Sequence, residues 1–193
     1  ALDDPKSEFA GGGIVSPAGV VYTSPRSLFI ANTELVEPTV LTTEGTEAEL
    51  MTSIHRFSLT DRVPDYDLSH RVAGVLPDRF GLSEHGDVLR VATLDMGDMT
   101  SGVTTLRVND GEFCELDHLG GLAPGEELYA VRFAGDLGYL VTYVVTAGDT
   151  RFEPEFSDPL FTIDLSDPEH IVALGELQMN GWYEYIQPLD ATH

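Results

Sequence analysis

Short stretches with alternating apolar and polar positions run along most of the chain, separated by clusters of Gly, Pro, Asp and Ser. Leu128-Tyr129-Ala130-Val131-Arg132-Phe133 and Tyr139-Leu140-Val141-Thr142-Tyr143-Val144 are rich in β-branched and aromatic residues, and each predicts a strand. Ala134 to Gly138 between them predicts a turn, with glycine available where φ must be positive. After an insert, Leu160 to Leu165 and Ile171 to Leu177 predict a third and a fourth strand around Ser166-Asp167-Pro168.

The same order of four strands, here called a to d, recurs twice upstream. In the middle copy Phe80 to Ser83, Val88 to Leu94, Thr104 to Val108 and Phe113 to Leu119 are the strands. In the first copy they are Val20 to Thr23, Ser27 to Asn32, Ser53 to Leu59 and Ser69 to Leu76. Tyr183 to Leu189 reads as strand a of a further copy. Thr46 to Thr52 predicts one or two helical turns inside an insert, and helical signal is otherwise nearly absent. A repeat of roughly 50 residues built from four strands is the signature of a propeller blade. One blade cannot cover both faces of its own sheet, whereas blades stacked around an axis cover each other. The expected fold is therefore all-β. It is a partial β-propeller of three four-stranded antiparallel blades (20–76, 79–119 and 128–177) plus the first strand of a fourth (182–190). Closed rings need about 4–8 blades, so a longer parent chain, or a homodimer that completes the ring, is expected.

Several of these segments resemble the secreted bacterial and archaeal "beta propeller domain" family. They are Asp158 to Pro168 followed by Leu174-Gly175-Glu176-Leu177, and Gly121 to Glu126 leading into Tyr129 to Phe133. Ser53 to Phe57 and Leu89 to Thr93 match as well. The resemblance runs from about Val21 to the end and implies a secreted or cell-surface protein with a longer parent chain. It implies no particular activity. Where the family pattern has a His-Pro pair, this chain has Gln187-Pro188, so no role of that histidine carries over.

Charge narrows the partners. Ten Lys and Arg stand against 33 Asp and Glu, a formal net charge of -23. Such a surface repels nucleic-acid phosphates and anionic membranes, and no apolar run is long enough for a membrane helix. The lone Cys114 predicts a small core residue. His55, His70, His85, His118, His170 and His193 show no metal-ligand spacing, and no phosphate loop or nucleophile elbow is present. Asp136 with Gly138, and Asp164 with Asp167, read as turn chemistry. Trp182, Tyr183 and Tyr185 read as packing residues, or as a stacking surface for a sugar.

The three inserts between strands b and c, Thr33 to Thr52, Asp95 to Val103 and Thr146 to Pro159, are expected on one face of the disc. Their acids include Glu34, Glu37, Asp95, Asp98, Asp149, Glu153, Glu155 and Asp158, and these are the candidate ligand-binding residues for a protein, glycan or cation. No cofactor is expected, with calcium left open as a ligand; the dense oxygen pattern of an EF-hand loop is absent. A non-enzymatic binding or scaffold module is the leading expectation. The alternative is an enzyme, hydrolase-like, with its site in the central channel, where strand a would offer Arg132, Glu84, Glu184 and Gln187. A purely structural spacer is the third reading.

Overall fold

A computed structural model of the chain describes residues 13–17, 19–37, 48–59, 64–143, 157–180 and 186–187. They form three four-stranded antiparallel sheets with a single short 3-10 turn among them, Arg79–Gly81. The first sheet is β1 (Val20–Thr23), β2 (Ser27–Val36), β3 (Glu49–Ser58) and β4 (Asp65–Ala73). The second is β5 (Leu82–His85), β6 (Val88–Asp95), β7 (Thr100–Asn109) and β8 (Glu112–Leu122). The third is β9 (Glu127–Ala134), β10 (Leu137–Tyr143), β11 (Ser157–Asp164) and β12 (Val172–Asn180). Each sheet keeps its strands in chain order, with strand a at one edge and strand d at the other. This is the expected partial propeller. The expected first strand of a fourth blade lies outside the described residues except for Ile186 and Gln187, which are in no strand.

The middle sheet is the keystone. Along β6, Leu89 and Val91 point into a core shared with Phe29, Ile54, Leu68 and Val72 of the first sheet. Ala92 and Leu94 point the other way, into a core shared with Leu128, Val131, Leu140 and Ile163 of the third. The period-2 alternation of a strand thus serves two interfaces at once. That is why Val88-Leu89-Arg90-Val91-Ala92-Thr93-Leu94 is buried throughout.

Polar struts cross both joints. The Glu84 carboxylate, 8% exposed, accepts from the hydroxyls of Ser24 and Ser27 and sits 3.6 Å from Arg56 across the first joint. Tyr22 Oη accepts from the backbone N–H of Glu84 at 2.9 Å. At the second joint Arg90 donates to the Gly135 carbonyl at 2.6 Å, and Thr105 donates to the Pro168 carbonyl at 2.7 Å. Asp117 accepts from the Ile171 N–H at 2.7 Å. The Val75–Leu94 bridge ties the connection after β4 to the end of β6. Gly74 makes it feasible, because its φ of 86° is costly for other residues and a Cβ there would meet the Leu94 oxygen at 2.5 Å.

Some expected elements are corrected. The region expected to hold strand a at Phe80 opens instead with the 3-10 turn, which Asp78 caps by accepting the Phe80 N–H at 2.7 Å; β5 starts only at Leu82. Strand d of the first sheet is Asp65–Ala73 rather than Ser69 to Leu76. Only Leu68 and Val72 of this edge strand are buried, so its apolar signal is weak. Within the expected helical turns Glu49 to Thr52 is extended, because its backbone pairs with Val36 to Thr33. Cys114 is exposed, since β8 is an edge strand and its neighbour Phe113 takes the core position.

Two substitutions test the struts by urea denaturation. Glu84→Ala is expected to cost about 2–3 kcal/mol, because two hydroxyls and a guanidinium lose their shared acceptor. Asp117→Ala is expected to cost about 1 kcal/mol. The Ile171 N–H, with a smaller contribution from the His118 N–H, holds the Asp117 carboxyl below the usual aspartate range. Its contribution is therefore present at neutral pH and lost as pH falls through the unfolded and then the folded value. Asp117→Asn is expected to flatten that part of the acid profile.

Candidate functional site

Backbone hydrogen bonds sort the turns onto two faces of the array. On one face the Leu59 N–H donates to Arg26 and the Leu165 N–H to Asp136, joining a–b turns to the segments between c and d. On the other the Gly125 N–H donates to Met99 and the Gly74 N–H to Leu50, joining d–a connections to the b–c side. The second face was expected to carry the ligand-binding acids.

Of those acids, Asp95 and Asp98 are brought together. The segment expected as a long insert is a tight turn, Met96 to Met99, because β6 and β7 stay paired as far as Asp95 and Thr100. Asp95 builds the turn: its Oδ1 accepts from Gly97 N–H at 2.7 Å and from Asp98 N–H at 3.4 Å. Met99 takes the left-handed region at φ 50°. Two clefts meet at this turn. One, of about 450 Å3, runs towards Leu35, Glu49 and Gly74; the other, of about 270 Å3, runs towards Ser101, His118 and Gly121. Ser101 Oγ, in the second cleft, is buried with no hydrogen-bond partner among the described residues. His118 Nδ1 lies 2.9 Å from Thr104 Oγ1.

Glu34 lies on β2 rather than in a loop. Its carboxylate accepts from Ser53 Oγ at 2.7 Å and pairs with Arg71 at 3.0 Å. The Ser53 hydroxyl, followed by the charge and hydrogen bond of Arg71, holds it below the usual glutamate range. Glu34 is thus engaged within its own sheet. Glu37 is exposed just beyond β2, and Asp158 is part of β11, where its backbone pairs with Met179. Asp149, Glu153 and Glu155 lie outside the described residues. Among the described residues no three His, Cys, Asp or Glu side chains are grouped as a metal site would require.

A third cleft lies where the inner edges of the sheets converge. It measures about 400 Å3 and is lined by residues of β1, the 3-10 turn, β5 and β9. Its chemistry is cationic and aromatic; the expected strand a already held Phe80 and Arg132, but Arg79 lies just before it and enters from the 3-10 turn that precedes β5. Glu84, expected to face the channel, is instead held between sheets by Ser24, Ser27 and Arg56.

The Beta propeller domain family model matches residues 2–193. An uncharacterized protein of Methanocaldococcus jannaschii is 38% identical over 127 residues, 63% of this chain and 18% of the relative. Another uncharacterized protein, from Archaeoglobus fulgidus, is 36% identical over 119 residues, 62% of this chain and 17% of the relative. The matched part of the chain thus spans less than a fifth of the length of these relatives. No solved structure matches the chain.

The turn itself is testable. Asp95→Ala is expected to cost about 1 kcal/mol in thermal or urea melts, because the Gly97 N–H loses its acceptor. Asp95→Asn keeps the acceptor and is expected to be close to neutral.

Proposed function

Because the chain belongs to the Beta propeller domain family, we propose that it is a non-enzymatic binding and scaffolding module of a longer secreted or surface protein. Its binding face is the one that carries the b–c turns and the d–a connections. The observation that supports this reading is the junction of two clefts at Asp95 and Asp98, backed by the fully paired β6–β7 hairpin. Loops on a rigid sheet present ligands with groups of fixed geometry. Asp98 and the exposed Glu37 and Glu49 make this face negative, which suits a basic protein surface. A cation or a glycan would use the same carboxylates.

The scaffolding half of the reading draws on the third sheet. Val172, Leu174 and Leu177 of β12 are 40%, 59% and 59% exposed. Apolar residues on an outer sheet suit a further blade, supplied by a longer chain or by a second copy. An enzymatic role for Glu84 in the channel has little support, since its carboxylate is committed to three partners.

The test is a calorimetric titration with a polylysine peptide and, separately, with calcium. Asp95→Asn combined with Asp98→Asn is compared with Asp110→Asn combined with Glu112→Gln, which removes the same charge from the opposite face. The first pair is expected to weaken binding several-fold more than the second. Equal losses would show that net charge alone attracts the probe, and the assignment of this face would fall.

A further inference from the structure

The inner cleft gathers positive charge in a chain that has little of it. Only ten of 193 residues are Lys or Arg, yet two of them, Arg79 and Arg132, line one cavity. Both guanidiniums lie over the same ring: the Arg79 carbon is 4.9 Å and the Arg132 carbon 5.4 Å from the centre of Phe80. Stacking on a ring satisfies the flat face of a guanidinium but leaves its in-plane N–H groups to find acceptors. Among the described residues neither arginine has a carboxylate within ion-pair distance, although the chain carries 33 acids. Arg132 Nε is buried and has no hydrogen-bond partner among the described residues.

Two further residues of the lining carry hydroxyls that already accept a hydrogen bond. Ser83 Oγ, on the cavity wall, accepts from Arg90 Nη2 at 2.9 Å. Tyr22 Oη, also on the wall, accepts from the Glu84 N–H at 2.9 Å. Each hydroxyl has thus used acceptor capacity and retains its own proton to donate. Arg90, which is 4% exposed and itself stacked on Phe133 at 5.1 Å, holds Ser83 in place from behind. The rest of the wall is Val21, Leu82, Phe80 and Phe133, with Thr23 as its one further polar residue. A cavity of about 400 Å3 lies within the range of small-molecule sites.

We infer that this inner cleft is a binding site for a small organic anion, whose oxyanion is held by Arg79 and Arg132 and whose apolar body lies against Tyr22, Phe80 and Phe133. Two like charges sharing one ring repel each other, and a bound oxyanion relieves that repulsion while satisfying both sets of N–H groups. The shared chemistry is an oxyanion, carboxylate or phosphate, and the strong negative field of the surrounding surface makes a small ligand a better fit than a polyanion. The site is separate from the acidic face and stands or falls independently of it.

The test is calorimetry of the whole chain at low salt with phenyl phosphate, benzoate and the neutral benzyl alcohol. Both anions are expected to saturate one site per chain in the millimolar range, while benzyl alcohol gives no saturation; the tighter anion identifies the oxyanion class. Arg79→Gln and Arg132→Gln are each expected to weaken the anions about tenfold, and Cys114→Ser, an uncharged change at an exposed position outside the cleft, to leave them unchanged. If a Gln variant melts early, Arg132→Lys replaces it and is expected to weaken binding several-fold, since an ammonium lacks paired planar donors. Saturable binding of benzyl alcohol comparable to that of the anions, affinities unchanged in the arginine variants, or no saturation by either anion would each overturn the inference.

Discussion

A sheet with apolar side chains on both faces has to be covered twice, and that requirement organises the chain. The second sheet meets it by standing between the other two. Val91 faces one neighbour, Ala92 faces the other, and both are fully buried. Because successive strand residues point to opposite faces, one strand sets the spacing of both joints. Among the described residues each outer sheet has one such neighbour, and Leu174 and Leu177 of the third are exposed. The array is therefore most constrained in its middle and most open at its ends.

Around that apolar framework the scarce cations are placed with economy. Arg56 reaches Glu84 across the first joint. Arg90 reaches Gly135 and Arg107 reaches Glu169 across the second. Burial lowers the Arg90 pKa to about 10, which leaves the side chain charged at neutral pH and able to strengthen its hydrogen bonds. Arg79 and Arg132 differ, since Phe80 rather than an acid is their shared neighbour among the described residues. With a net charge of -23, an arginine without an acidic partner is more informative than any single carboxylate.

The carboxylates illustrate how sequence position misleads about role. Glu34, Asp95 and Asp98 look alike as acids of inserts. Yet Glu34 is tied to Ser53 and Arg71 on a strand, Asp95 spends an oxygen on its own turn, and Asp98 is exposed beside two clefts. The acids at Asp164 and Asp167 did follow the turn chemistry expected of them, accepting from Ser166 at 2.9 Å and Glu169 at 3.0 Å. Local hydrogen bonding of Asp is short-range and so legible from neighbours in the chain. Long-range partners such as Arg71 for Glu34 are not.

What the sequence determined by itself is the repeat. Enrichment in β-branched and aromatic residues in Leu128 to Phe133 and Val88 to Leu94 favours extended backbone, and three copies of the four-strand order require stacked sheets, because no single copy can cover itself. It also determined short turns where Gly and Asp cluster, as at Gly86-Asp87 and Gly135-Asp136. How far β2, β3 and β7 extend was left to the tertiary structure, because ladder hydrogen bonds continue through polar residues that carry no apolar period. It alone decided that Glu84 bridges sheets, that Cys114 faces out, and that Arg79, Phe80 and Arg132 share a cavity with Tyr22. Those residues lie on three different repeats, and only stacking around an axis brings their inner edges together.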